Sequence, residues 1–138
     1  MEDKELVRII KNNWGNNLID MNGFSKVDSF IYVEGSTAPI ALWVERKTRN
    51  VSFDAYPDVV VDYAKWEALI KLREITDVPA ILAYGWSCGT AGFIEPSMSK
   101  KITVKVLTPS MDSVSLNRGV ERKVVHIDKS EFKFMDTK

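Results

Sequence analysis

The chain has 138 residues, 45% of them hydrophobic, a length and composition that fit one domain with a real core. Its 19 lysines and arginines are matched by 19 aspartates and glutamates, so no overall field draws it to nucleic acid or an anionic membrane, and a polyanion would have to meet a local patch. The lone cysteine, Cys88, excludes an intrachain disulfide and a cysteine-rich zinc site, and no apolar run approaches the roughly 20 residues needed to span a bilayer.

The charged start Met1-Glu2-Asp3-Lys4-Glu5 lacks the apolar stretch of a secretory signal, so a soluble, cytoplasmic protein is expected. Leu6, Val7, Ile10 and Trp14 recur at helical spacing from about residue 3, and Gly15 follows where a C-cap glycine belongs. Asn17 to Met21 suggests a short strand, and Asn22-Gly23 a turn. Residues 26–33 are rich in β-branched and aromatic types; after the polar turn Glu34-Gly35-Ser36-Thr37 comes a second strand over 39–47. This second strand is apolar until its charged end, as expected of a central strand buried on both faces.

A looser stretch around Pro57 leads to Asp62, read as an N-cap, and to a helix with Trp66, Leu69, Ile70 and Arg73 on one face. Asp77-Val78-Pro79 ends it. Strands are predicted over 80–86 and 91–94 around the turn Ser87-Cys88-Gly89-Thr90, then over 102–107 and 123–127, with a polar loop over 109–119. The order predicts an α/β fold, a mixed sheet with helices packed on it.

Alternate residues of a strand face the same way, so Glu45 and Lys47 leave the sheet together and Arg46 points oppositely. If Asp28 lies at the same end of the neighbouring strand, it and Glu45 can hold one hard cation. Magnesium accepts two carboxylates, waters and a substrate phosphate. A metal there would polarise a phosphodiester and acidify a water, with Lys47 orienting that water or neutralising developing charge.

Asp28, a hairpin, an apolar strand ending in Glu45-Arg46-Lys47 and a following helix resemble the PD-(D/E)XK nuclease superfamily over about residues 3–95, and in compactness the small phage-type and resolvase-like members. The resemblance implies a restriction-endonuclease-like sheet flanked by helices with an α-β-β-β-α-β core, followed by a C-terminal strand extension over about 100–135, all within a single domain of 1–138. It implies that Asp28 and Glu45 are magnesium ligands, with manganese as a substitute, and that Lys47 is the catalytic lysine. Glu5 is the candidate for a further acid from the first helix and Lys65 for a basic residue from the second; Arg46, Arg49 and Lys65 are candidate DNA contacts. The chain departs from the motif at Val27, where proline is usual. The partner implied is DNA, including branched or single-stranded forms, with no membrane; a phage-encoded chain would act in the host cytoplasm.

A Glu-X-Lys triplet alone is a weak signal, because Val-Glu-Arg-Lys occurs at both 44–47 and 120–123. The first copy closes an apolar strand and has an upstream Asp at hairpin distance, whereas the second follows polar Asn117-Arg118-Gly119. The plain alternative for Glu45 and Lys47 is a cross-strand ion pair at a sheet margin. His126 reads as a satisfied sheet residue, Cys88 as an unactivated thiol, and Trp14, Trp43, Trp66 and Trp86 as core. Two other functions remain open: a nuclease-fold DNA-binding or assembly module with little or no catalysis, and a junction-resolvase-like enzyme acting as a homodimer.

Overall fold

The structure, a computed structural model, describes residues 1–21, 27–35, 39–107 and 121–138. The Asn22-Gly23 turn, Lys26 at the head of the second predicted strand, Ser36-Thr37 of the hairpin turn and the 109–119 loop lie outside the described residues.

Helix α1 (Asp3–Trp14) forms where the apolar spacing predicts, with Asp3 and Glu5 in its first turn and Lys11 in its last, each complementing the helix dipole. It ends at Gly15, whose φ of 125° suits only glycine. Strands β1 (Leu18–Asp20), β2 (Ser29–Tyr32) and β3 (Ile40–Thr48) then form an antiparallel meander. Strand β4 (Asp58–Asp62) leads into α2 (Tyr63–Thr76), followed by β5 (Ala80–Gly85) and β6 (Ala91–Ile94). Strands β7 (Ile102–Leu107), β8 (Arg122–Asp128) and β9 (Lys133–Phe134) complete the chain.

The main sheet has the order β1-β2-β3-β5-β6-β9, and β4-β8-β7 form a smaller one. Among the described residues only β3 and β5 pair in parallel, joined by a crossover that contains α2, and the other strand pairs are antiparallel. The fold is thus α/β, a mixed sheet flanked by helices. On one face, Leu6, Ile9 and Ile10 of α1 pack against Leu42, Val44, Ile81 and Ala83. On the other, Trp43, Leu82 and Tyr84 meet Trp66 and Leu69 of α2 together with Val59, Val61, Val125 and Ile127 of the small sheet. Full burial of each such Leu, Ile or Val contributes about 1.5–3 kcal/mol.

Several expectations change. The stretch after Pro57 is a strand, because alternate valines Val59 and Val61 are buried while β8 supplies the backbone partners. Asp62 does occupy the N-cap position of α2, but its side chain makes no capping hydrogen bond; its carboxylate instead accepts from Arg122 Nε at 2.9 Å. The buried face of α2 runs through Trp66, Ala68 and Leu69, and Arg73 is exposed. Asp77 does end α2, in the left-handed conformation at φ 55°. Trp43, Trp66 and Trp86 are buried, while Trp14 is partly exposed and meets Phe93 edge-on. Among the described residues, no helix is long and apolar enough to cross a membrane.

Candidate active site

Strand β3 is flanked by β2 and β5, so Leu42, Trp43 and Val44 are buried and draw the next residues to the core margin. The strand's alternation then sends Arg46 toward α1, and Glu45 and Lys47 toward α2. Ser29 is in register with Val44, so Asp28, one residue earlier in the antiparallel strand, comes beside Glu45. Its Oδ2 accepts the backbone N–H of Arg46 at 2.9 Å, which fixes the carboxylate at the end of β3.

Glu45 is 7% exposed, unusual for a glutamate. Its Oε1 lies 3.2 Å from Nζ of Lys65 on α2, and its buried Oε2 has no hydrogen-bond partner. Burial, and then the negative charge of Asp28, push its carboxyl above the ordinary glutamate range against the opposing pull of Lys65. One ammonium does not compensate two adjoining acids at a desolvated site. Lys47 is half-buried, and its ammonium has no hydrogen bond or ion pair among the described residues.

Arg46, on the opposite face, is fully engaged. Its guanidinium donates to Asp3 Oδ1 at 2.9 Å, Asp3 Oδ2 at 3.2 Å, Asp20 Oδ1 at 2.8 Å and Ser29 Oγ at 3.0 Å. Burial alone would lower its pKa, but the bonds to Asp3 and Asp20 outweigh it and raise the value. Arg46 therefore ties α1 and β1 to β3, and its charge is spent there. Glu5 is exposed on α1, the helix packed over this same opposite face.

Lys65 reaches the site and Arg49 lies just beyond it. Tyr84 stands in parallel register with Lys47 on β5, its phenol pushed up by burial against the opposing positive charge of Arg49. No sequence pattern marked Tyr84, because parallel pairing across a helical crossover has no local signature. His126 is satisfied, its Nδ1 lying 2.9 Å from Asp58 Oδ2. Contrary to expectation, Cys88 has a neighbour that acidifies it: its bond to Thr90 Oγ1 at 3.1 Å, aided by backbone around Phe53, brings the exposed thiol to about 7.

This arrangement, an acid and a lysine closing a central strand beside a second acid, meets a specific family. The profile described as "Phage putative PDDEXK endonuclease" matches residues 1–135. The chain belongs to this family. Membership carries nuclease activity as the family's described function, with DNA as the implied substrate and a divalent metal as the usual requirement of PD-(D/E)XK nucleases. No curated protein and no solved structure matches the chain.

Among the described residues, no group of three or more His, Cys, Asp or Glu side chains gathers into a ready-made metal cage. The residues of a PD-(D/E)XK site nevertheless fit a hard cation. Glu45 presents an oxygen with no partner, buried next to a second carboxylate, and oxygen ligands are what magnesium takes.

Proposed function

We propose that this PD-(D/E)XK family member is a single-domain, magnesium-dependent endonuclease that hydrolyses DNA phosphodiester bonds, with Asp28 and Glu45 as metal ligands and Lys47 as the catalytic lysine. The observation that carries this reading is the orphaned, buried Oε2 of Glu45 beside Asp28, on the same strand face as Lys47, whose ammonium has no partner among the described residues. A structural ion pair would have consumed these charges in one another, and Glu45 takes Lys65 instead.

A bound magnesium, or manganese in its place, supplies Lewis acidity toward the phosphate and lowers the pKa of a coordinated water. The chain's own residues do the rest. The Arg46 N–H holds Asp28 in place, and Lys65 holds Glu45 by one oxygen while leaving the other available. Lys47 directs an ammonium at the reacting phosphate, where it hydrogen-bonds the attacking water and offsets negative charge that grows in the transition state. Lys65 is 40% exposed and Arg49 exposed, so both remain accessible to the flanking phosphates.

The test is cleavage of plasmid and single-stranded circular DNA with magnesium or manganese. Wild-type protein should cut at least one, and Glu45→Ala should lower the rate by on the order of a hundredfold or more. Equal cleavage by both proteins would end the proposal. A DNA-binding module with no catalysis has one observation in its favour, the partial neutralisation of Glu45 by Lys65. Titration calorimetry with magnesium separates the two, since such a module need not bind the ion through Asp28 and Glu45.

A further inference from the structure

Beyond the end of β3 the chain does not run off into solvent. The Arg49 N–H donates to Gly85 O at 3.0 Å and the Ser87 N–H to Val51 O at 3.0 Å, while the Lys129 N–H donates to Pro57 O at 3.2 Å. Residues 49–57 are thereby strapped to the main sheet at one end and the small sheet at the other. Between strap and sheets lies a pocket of about 440 Å³, within the roughly 300–1,000 Å³ of small-ligand sites.

Two features of its wall are chemically informative. It is aromatic: Phe53 meets Trp86 edge-on at 5.0 Å, Trp86 lies 4.7 Å from Tyr84, and Tyr56 stands at the rim, 60% exposed. It is also cationic. Arg49 lines it, and Lys129 is held there by the Phe53 carbonyl at 3.1 Å and the Phe53 ring at 4.6 Å. The pocket's one acid, Asp58, hydrogen-bonds His126 at 2.9 Å and faces two cations, Arg49 and Lys129, so positive charge predominates in the lining.

The pocket also adjoins the candidate active site. Tyr84, part of its wall, is the register partner of Lys47, and Arg49 follows Lys47 on the same side of the strand. We infer that this pocket receives one unpaired nucleotide of the substrate strand next to the scissile phosphate, its base against Tyr56 and Phe53 and its phosphate on Arg49 and Lys129. This rests on the nuclease reading above and deepens it, making the substrate a strand with at least one unstacked base at the cut. Planar π-faces with flanking cations are the means by which proteins hold single strands without reading sequence. A chain of zero net charge needs such a local site to hold a polyanion at all.

Binding of a labelled single-stranded oligothymidylate and of a blunt duplex, each measured by anisotropy in EDTA so that nothing is cut, tests the inference. Wild type should prefer the single strand, and Tyr56→Ala should weaken that binding by about tenfold, the size of one base–aromatic contact, while leaving the duplex within about twofold. Tyr56→Phe should retain the preference. Arg49→Ala should weaken single-strand binding and flatten its salt dependence by about one counterion. Tyr56 is largely exposed, so its loss does not threaten folding. Unchanged single-strand binding in Tyr56→Ala, an equal loss on single strand and duplex, or no preference in wild type each overturns the inference. Metal-dependent cleavage that fails in Lys47→Ala, run alongside, separates the two claims. If it is present while Tyr56→Ala binds normally, the pocket assignment alone falls. If it is absent while the Tyr56 effect persists, the nuclease reading falls and the nucleotide pocket stands.

Discussion

Val-Glu-Arg-Lys occurs at 44–47 and again at 120–123, and the fold treats the two copies in opposite ways. In the first, the string comes after Leu42 and Trp43 at the end of a strand flanked on both sides, so Glu45 is drawn to the core margin with an oxygen unpartnered. In the second, Glu121, Arg122 and Lys123 are exposed at the entrance of β8, whose burial begins only at Val124, and Val120 lies outside the described residues. There Arg122 pairs with Asp62 at 2.8 Å, and Lys123 stacks its ammonium 4.0 Å over the Tyr63 ring. Four identical letters therefore yield a desolvated acid with a free amine in one place and solvated surface pairing in the other. The order of charge and apolar run along the strand makes the difference.

Substituting the copies in parallel sharpens that contrast. The largest effect is expected on catalysis: Lys47→Ala should lower metal-dependent DNA cleavage by on the order of a hundredfold with its melting temperature little changed, whereas Lys123→Ala should leave cleavage within about twofold. Comparable losses from both would dissolve the distinction. Next comes stability. Arg46→Ala removes four hydrogen bonds from a guanidinium that is 11% exposed and should cost about 1–3 kcal/mol, limited because Asp3 and Asp20 can return to water. Arg122→Ala, at an exposed pair, should cost about 0–1 kcal/mol in the same urea titration.

The smallest effect has the most telling sign. A carboxyl whose folded pKa is raised binds its proton more tightly in the native state, so stability falls as pH rises through the range above ordinary glutamate values. Metal-free Glu45→Gln should therefore be as stable as wild type or slightly more so at pH 7, with the gap closing in acid, even as cleavage is lost. A fall in Tm of more than about 2 °C at pH 7 would instead mark Glu45 as a structural partner of Lys65. Glu121→Gln, exposed before β8, should leave Tm at pH 7 unchanged.

The sequence carried much of this. The apolar spacing of Leu6 and Ile10 gave α1, and the apolar run into Glu45-Arg46-Lys47 gave the central strand and the divergence of its charged side chains. Asp77-Val78-Pro79 gave the end of α2. What escaped was non-local. The three valines of β4 read as loop because their partner strand is more than sixty residues away, and the N-cap residue Asp62 turns its carboxylate to Arg122, a partner sixty residues on, instead of capping α2 with it.

By itself, then, the sequence determined the two helices, the central strand and which side of β3 each charge takes, since backbone periodicity acts over neighbours only. Tertiary structure alone decided which charges are spent and which are left free. Arg46 found Asp3 and Asp20, and Glu45 found Lys65 with one oxygen to spare. The pocket wall formed only where residues 49–57 met two sheets. Desolvation and pairing depend on distances through space, and those are fixed only when distant segments pack.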